Sequence, residues 1–224
     1  MKQISEQNYQ TLIQGAELLK RDKYGDKVWR LSDGRIAKLF RVKRRLSSAR
    51  IFSYAKRFRR NSLILQKRGI QTITVDELVE CKAIERQIVI YHYLAGETLS
   101  EILTDQPDSP ELIVKLAQYL AMLHARGIYF RSVHTGNIVR CENGELGIID
   151  ISDMRFSVFP LSVRKCARNF HHMLRYPFES GVINAFGTER FIHAYLAVTN
   201  WSSLKKALFM KFLPASVKNN FAEK

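Results

Sequence analysis

The chain has 224 residues, 46% of them hydrophobic, with 36 Lys and Arg against 21 Asp and Glu. That is enough apolar surface for one large domain or two small lobes around a shared cleft, and it excludes a globally disordered chain. A net charge of +15 excludes a preference for cationic partners and favours anionic ones: nucleic acid, phosphorylated sugars or an anionic lipid surface.

No apolar run approaches the length of a membrane span, and the polar start "MKQISEQNYQ" predicts no secretory signal. Cys81, Cys141 and Cys166 are scattered, without C-x-x-C spacing. They suit free thiols in a reducing, cytoplasmic compartment better than disulfides or zinc. The charge is uneven: from Arg35 to Arg68 there are thirteen Lys or Arg and no acid until Asp76.

Along the chain, "AELLKRD" and "KVWRLS" flank "KYGD", and Asp33–Gly34 leads into "RIAKLF". Short runs punctuated by Gly and Asp predict strands joined by hairpins. A helix is predicted from about Ser47 to Lys67, with Ile51, Tyr54, Ala55, Phe58, Ser62 and Leu65 on one stripe and Gly69 as its C-cap. "TITVDELVE" and "RQIVIYHYL" read as two further strands. In "DSPELIVKLAQYLAMLHARGI" a helix starts with Ser109 as cap, Pro110 in the first turn and Glu111 on the dipole, and buries Leu112, Leu116, Leu120 and Leu123. "NIVR" and "LGIID" form a hairpin turned at Glu142-Asn143-Gly144, and the remainder is mostly helical. Strands first and helices afterwards predict an α+β chain, with residues 1–93 as a β-rich N-lobe and 94–224 as a helical C-lobe.

Phosphoryl transfer needs a cation on the phosphates, oxygen ligands for Mg²⁺ and a group that orients the acceptor hydroxyl. Lys38, in strand-like "RIAKLF", is a candidate phosphate lysine, and Gly25 is the only glycine of the first hairpin turn, a poor phosphate-covering loop. Asn137 in "HTGNIV" and Asp150, thirteen residues on at the end of "LGIID", can converge on one cation across a hairpin of that length. The alternative is that Asn137 caps a turn and Asp150 starts one.

"LHARGIYFRSVHTGNIVR…LGIIDIS" resembles the catalytic segment of the protein-kinase-like superfamily, H-R-D-x-x-x-x-N followed by D-F-G. S-V-H-T-G-N is similar to the D-x-H-x-G-N of aminoglycoside and choline kinases. The size, "KVWRLSDGRIAKLF", "RFRRN" and "RNFHHMLRY" resemble the bacterial lipopolysaccharide core kinases and their toluene-tolerance relatives, over residues 15 to 198. The resemblance implies a small two-lobed kinase-like fold that binds ATP and Mg²⁺. Lys38 would be the phosphate lysine, and Asn137 and Asp150 the metal ligands. The backbone of His92 to Leu94 would hold adenine in a hinge, with Tyr91 lining its pocket. Asn61 falls where the family's helix carries the glutamate that pairs with the lysine.

The sequence departs from that pattern at Ser132, which stands at the base position five before Asn137, and at Asn61, which gives no ion pair. D-F-G reads D-I-S, and Phe130 replaces the His of H-R-D as an apolar anchor. General-base assistance is worth on the order of 10²–10⁴-fold, whereas positioning and charge stabilisation carry most of phosphoryl transfer. His134 or Asp153 can replace the orienting group, and Arg131 can pair with a phosphoryl or an acceptor phosphate. The bland readings remain beside these: His134 ties the loop, and Asp153 pairs with an arginine such as Arg155.

The expected reaction is phosphorylation of a sugar hydroxyl of a lipopolysaccharide core or related glycolipid, with or without phosphates already on it, at the inner membrane. A pseudokinase lacking the base is the alternative, and a nucleic-acid-binding protein a weaker one, since no recognition motif accompanies the basic tract. That tract serves an anionic membrane, a phosphorylated acceptor or only a solvated helix face. The tail "WSSLKKALFMKFLP" is amphipathic, so it lies at a membrane interface or packs on the domain as a last helix.

Overall fold

The computed structural model describes residues 1–42 and 53–213 of the chain. It is α+β, with strands concentrated first and helices second, and it divides into two compact units, Met1–Ala95 and Gly96–Lys224.

The first unit runs β1 (Lys2–Ile4), α1 (Glu6–Ile13), β2 (Glu17–Asp22), β3 (Gly25–Arg30), β4 (Ile36–Arg41), α2 (Tyr54–Lys67), β5 (Gln71–Thr72), β6 (Thr74–Cys81) and β7 (Arg86–His92). Six of these strands form one sheet in the order β1-β6-β7-β4-β3-β2. The β1–β6 pair is parallel and the others are antiparallel. "IAKLF" and "QIVIY" are buried almost throughout because both faces of the sheet are covered. Ala37, Leu39, Ile88 and Ile90 join Tyr9 of α1, Leu31, Val79 and Cys81 in one core cluster. On the alternate face, Phe58 of α2 meets Phe40 and Tyr91, with ring centroids 5.8 and 5.4 Å away.

The α2 helix begins later than its sequence suggests. Ser53 is extended, and its hydroxyl accepts from Lys56 N–H at 3.3 Å as the N-cap. Ser47 to Phe52 of the expected helix, Ile51 included, lie outside the described residues. Ala55, Phe58, Ser62 and Leu65 of the stripe are buried, but Tyr54 is exposed and lies under the Arg57 guanidinium, 4.6 Å from its ring. The end is as expected: Gly69 takes φ 66°, donates to Gln66, and Ile70 donates to Leu65, a Schellman stop. β1 and α1 are absent from the sequence reading. Three apolar residues (Tyr9, Leu12, Ile13) in an otherwise polar α1 give too little periodicity to announce it.

The second unit runs β8 (Glu97–Thr98), α3 (Leu99–Asp105), α4 (Pro110–Ala125), β9 (Ile128–Phe130), β10 (Ile138–Arg140), β11 (Leu146–Ile148), β12 (Met154–Phe156), α5 (Val163–Leu174), α6 (Pro177–Phe186), α7 (Thr188–Ala197) and α8 (Ser203–Phe212). The predicted hairpin is present: β10 pairs with β11, Ile138 opposite Ile148, and β8 extends that ladder beyond β10. β9 and β12 form a second antiparallel pair. In α4 the expected leucines are buried. Ser109 does not cap it, however: its hydroxyl donates to the Gln106 carbonyl at 2.8 Å, so Pro110 starts the helix without a side-chain cap. The sequence does not predict α3, which follows the expected hinge, although Thr98 and Glu101 form a capping box at its start.

Among the described residues no helix is long and apolar enough to cross a membrane. All three cysteines are buried and free. Gly96, at φ 134°, opens the second unit where an added Cβ would collide with the Arg140 carbonyl. Gly96→Ala should therefore lower stability by about 2 kcal/mol or more, read as a fall in the urea midpoint with an unchanged m-value. An unchanged midpoint would show that the β8–β10 contact contributes nothing.

Candidate active site

In the second unit two strand pairs close one loop system. β9 leads into Arg131–His134 and a single 3₁₀ turn, Thr135–Asn137, before β10. The β10–β11 hairpin returns the chain to Ile149 and Asp150, and β12 then pairs back on β9 with Met154 opposite Phe130. The base-position segment and the Asp150 segment thus leave the same strand pair and are rejoined by the other. Arg131 N–H donates to the Asp153 carbonyl at 3.1 Å, and Ile149 N–H donates to the Asn137 carbonyl at 3.0 Å.

Asn137 is buried, and its side-chain NH₂ donates to the Ser132 carbonyl at 2.9 Å. With that end committed, the chemistry left to its other end is that of an oxygen acceptor. Asp150, exposed, lies one residue past the backbone partner of Asn137 and takes φ 51°, one of two non-glycine residues with positive φ among those described. The left-handed conformation is unfavourable for a side chain with a Cβ and persists only where the surroundings impose it. Here the Ile149 bond before it and the Asp153 bond after it fix both flanks, and Ser152 Oγ donates to its carboxylate at 3.4 Å. The hairpin therefore sets Asp150 one residue past the backbone partner of Asn137.

Ser132 is half-buried, with its carbonyl on Asn137. The Arg131 guanidinium pairs with the Asp153 carboxylate at 3.3 Å. Asp153 therefore has an arginine partner, as expected, but it is Arg131 and not Arg155. Arg155 stands opposite Tyr129 in the β9–β12 ladder, and the pleat fixes its direction there. Both members of the ion pair are nearly half exposed, so water screens it and it contributes at most about 1 kcal/mol. His134 packs edge-on against Tyr176, centroids 5.3 Å apart, and crowds Gly136, where an added Cβ would come within 3.2 Å of its Nδ1. Gly136 leaves room for the ring beside the turn.

Three buried residues absent from the sequence reading hold this loop. Glu179 of α6 accepts from both the Thr135 N–H (2.9 Å) and hydroxyl (2.7 Å), charge-assisted bonds out of water. Asn169 of α5 donates to the Phe130 carbonyl at 2.7 Å and accepts from His124 Nε2 at 2.9 Å. His124 Nδ1 in turn accepts from the Tyr195 hydroxyl at 2.9 Å. Burial drives the His124 pKa down to about 4, so the ring is a neutral strut. Phe130 is fully buried, as its role of apolar anchor requires. A signal was available for one of them: His124 follows Leu116 and Leu120 at four-residue spacing, a polar side chain on a buried stripe.

In the first unit Lys38 is buried on the α2 face of β4, its ammonium 5.2 Å from the centroid of Phe58 and 5.8 Å from that of Phe40. Asn61, one turn beyond Phe58, is also buried on that helix face. Tyr91, at the end of β7, is half-buried against Phe58. His92 is exposed and pairs with Asp76 at 3.1 Å. Leu94 follows in extended chain two residues before the second unit begins. Gly25 opens β3 at φ 105° opposite Asp22, a turn position without a glycine-rich stretch around it.

The basic tract is not one uniform face. Arg35 is taken up by Asp33, Asp76 and Glu77, and Arg41 lies over Tyr24 at 4.2 Å. Lys56, Arg59, Arg60 and Lys67 of α2 rim an open groove of about 550 Å³ floored by Ile64 and Leu78. Lys43, Arg44, Arg45 and Arg50 lie outside the described residues.

Asn137 and Asp150 are hard oxygen donors, and among the described residues no three His, Cys, Asp or Glu converge on a possible metal position. Such a pair fits a magnesium ion held mainly by phosphates and water rather than an all-protein cage. No family model matches the chain, and no curated protein matches it.

His124 gains no proton in the folded protein until about pH 4 but does so near 6.5 when unfolded. Its contribution is fully present above pH 6.5 and is lost as pH falls toward 4, on the order of 3 kcal/mol in all. Denaturant unfolding across that window should show this fall, and His124→Gln should flatten it; an equal slope in the variant would assign the dependence elsewhere. Glu179→Ala should lower stability by about 1–3 kcal/mol, because it leaves the Thr135 donors unpaired.

Proposed function

We propose that this chain is an ATP-dependent phosphotransferase of the protein-kinase-like superfamily. Its acceptor in this reading is a sugar hydroxyl of a lipopolysaccharide core or related glycolipid, met at the cytoplasmic face of the inner membrane. What supports the reading is the β10–β11 hairpin, which sets Asp150 one residue past the backbone partner of Asn137, with Asp150 at positive φ and the Asn137 side chain on the Ser132 carbonyl. Lys38, buried among aromatic rings, would hold the nucleotide's phosphates, and the backbone of His92 to Leu94, with Tyr91, would hold its adenine. Asn137 and Asp150 would hold Mg²⁺, which when bound neutralises charge on the phosphates being parted.

In the transfer the bond between the γ-phosphorus and its bridging oxygen breaks, a bond to the sugar oxygen forms, and the hydroxyl proton leaves. Ser132 cannot take that proton at neutral pH. Asp153, ion-paired with the neighbouring Arg131, or His134, two residues on, would receive it. A loose transition state asks little of a base, so loss of the carboxylate at position 132 slows the reaction without removing its main source of rate. The glycolipid acceptor rests on resemblance to the lipopolysaccharide core kinases.

A second reading, a nucleotide-binding pseudokinase, is favoured by Ser132 together with the neutral Asn61. The two readings differ in turnover. ATP with Mg²⁺ should raise the melting temperature by several degrees, and Asp150→Ala should lose the metal-dependent part. No shift at any concentration would sink both. With core oligosaccharide as acceptor, wild type should release ADP stoichiometrically with phosphorylated sugar. Ser132→Asp should raise kcat and His134→Ala should lower it, each by about tenfold or more. ATP binding without turnover on any sugar would leave the pseudokinase.

A further inference from the structure

The last helix among the described residues, α8, carries two apolar faces. One is inward: Phe209 is fully buried, stacked on Tyr195 at 5.2 Å and edge-on to Phe170 and Trp201. The other is outward: Leu204, Leu208 and Phe212, spaced four apart, form one stripe that is 80%, 40% and 37% exposed. One apolar face suffices to fix a surface helix to its domain, so the second needs another explanation. Of the two expected alternatives for this segment, packing on the domain is met by the inward face.

A second element joins the outward face. Between β12 and α5 the chain exposes Val158 at 92% and Phe159 at 75%. Pro160 and Leu161, which follow, line a pocket of about 300 Å³ together with Trp201 and Lys205 at the start of α8. Arg164, just beyond, lays its guanidinium 5.3 Å from the Phe212 ring. The loop tip and the helix stripe are therefore neighbours on one unit.

The surrounding charge selects the partner. Residues 154–213 contain nine Lys or Arg and two acids, Glu179 and Glu189, and Glu179 is buried on Thr135. Lys205 and Lys211 border the Leu204–Leu208–Phe212 stripe on the helix surface, with Lys206 beyond. Protein–protein interfaces exclude lysine from their apolar centres. Lysines interleaved with protruding leucine and phenylalanine are instead the pattern of a helix lying in a bilayer interface, where apolar tips enter the acyl boundary and ammonium groups reach lipid phosphates.

We infer that α8 and the Val158–Phe159 loop form a membrane-docking face that seats the second unit on an anionic bilayer. The inference does not rest on the phosphotransferase reading, nor on the basic tract of the first unit.

Sedimentation of the full chain with vesicles tests it. Vesicles of phosphatidylglycerol and phosphatidylethanolamine should bind the protein, and vesicles of phosphatidylcholine alone should not. Raising salt well above about 0.1 M should weaken binding. Lys205→Glu and Lys211→Glu should each weaken it about fivefold or more. Leu204→Ser with Phe159→Ser should weaken it about tenfold or more. Because those side chains are exposed, all four substitutions should leave the melting temperature and its response to ATP with Mg²⁺ unchanged. Absence of binding, or binding that the variants leave intact, overturns the inference. A melting temperature lowered by Leu204→Ser would show the stripe covered by the protein's own chain. A dimer in light scattering that Leu204→Ser disperses would assign the stripe to a second copy. Either result overturns the membrane assignment as well.

Discussion

Asn137 holds the second unit's loop system from two sides at once. Its side chain fastens Ser132, five residues earlier, and its backbone carbonyl receives Ile149, twelve residues later. Both bonds lie in a partly buried loop, where an unmade partner costs more than a made bond contributes. The consequence reaches Asp150: with Ile149 fixed, and with Asp153 fixed by Arg131, the intervening residues turn through a left-handed position at Asp150. An exposed Asp150 is thereby set one residue past the backbone partner of Asn137, by backbone geometry and not by side-chain choice.

Around that link the unit supplies rigidity. Asn169 and His124 brace the strand that enters the loop, and Glu179 braces the turn that leaves it. Each is a buried polar group with its partners satisfied, the condition under which a polar network specifies one arrangement. His124 stays neutral because its surroundings are apolar, so at ordinary pH the brace carries no charge that would need a counter-ion. A loop held this firmly suits a proposed reaction that depends on positioning far more than on proton transfer.

The hairpins of the first unit, the buried strands, the β10–β11 turn and the Schellman end of α2 were all legible, since each rests on local turn chemistry or a long apolar pattern. The start of α2 is set by Ser53, whose hydroxyl accepts from Lys56 N–H, while Ser47 lies outside the described residues. Ser109 has the composition of a cap, but its hydroxyl turns back to Gln106, a competition that propensity cannot resolve. β1 stayed invisible because three residues of polar sequence become a strand only by pairing with β6. At the site, Asn137 and Asp150 could be read as a pair, whereas Glu179, forty-four residues from Thr135, could not.

By itself the sequence determined what depends on neighbours along the chain: an α+β order of elements, a hairpin that returns Asp150 to Asn137, a helix with a basic side and a tail with mixed apolar and basic character. Only the tertiary structure decided the partnerships between distant residues. Asp153 took Arg131 rather than Arg155, because β9 and β12 pair and the pleat aims the side chains. The tail gained a definite inward face through Phe209 and a definite outward one through Leu204, Leu208 and Phe212. The reason is common to both: a local pattern states which residues are apolar or charged, while the direction each one points is set by the surface it is packed upon.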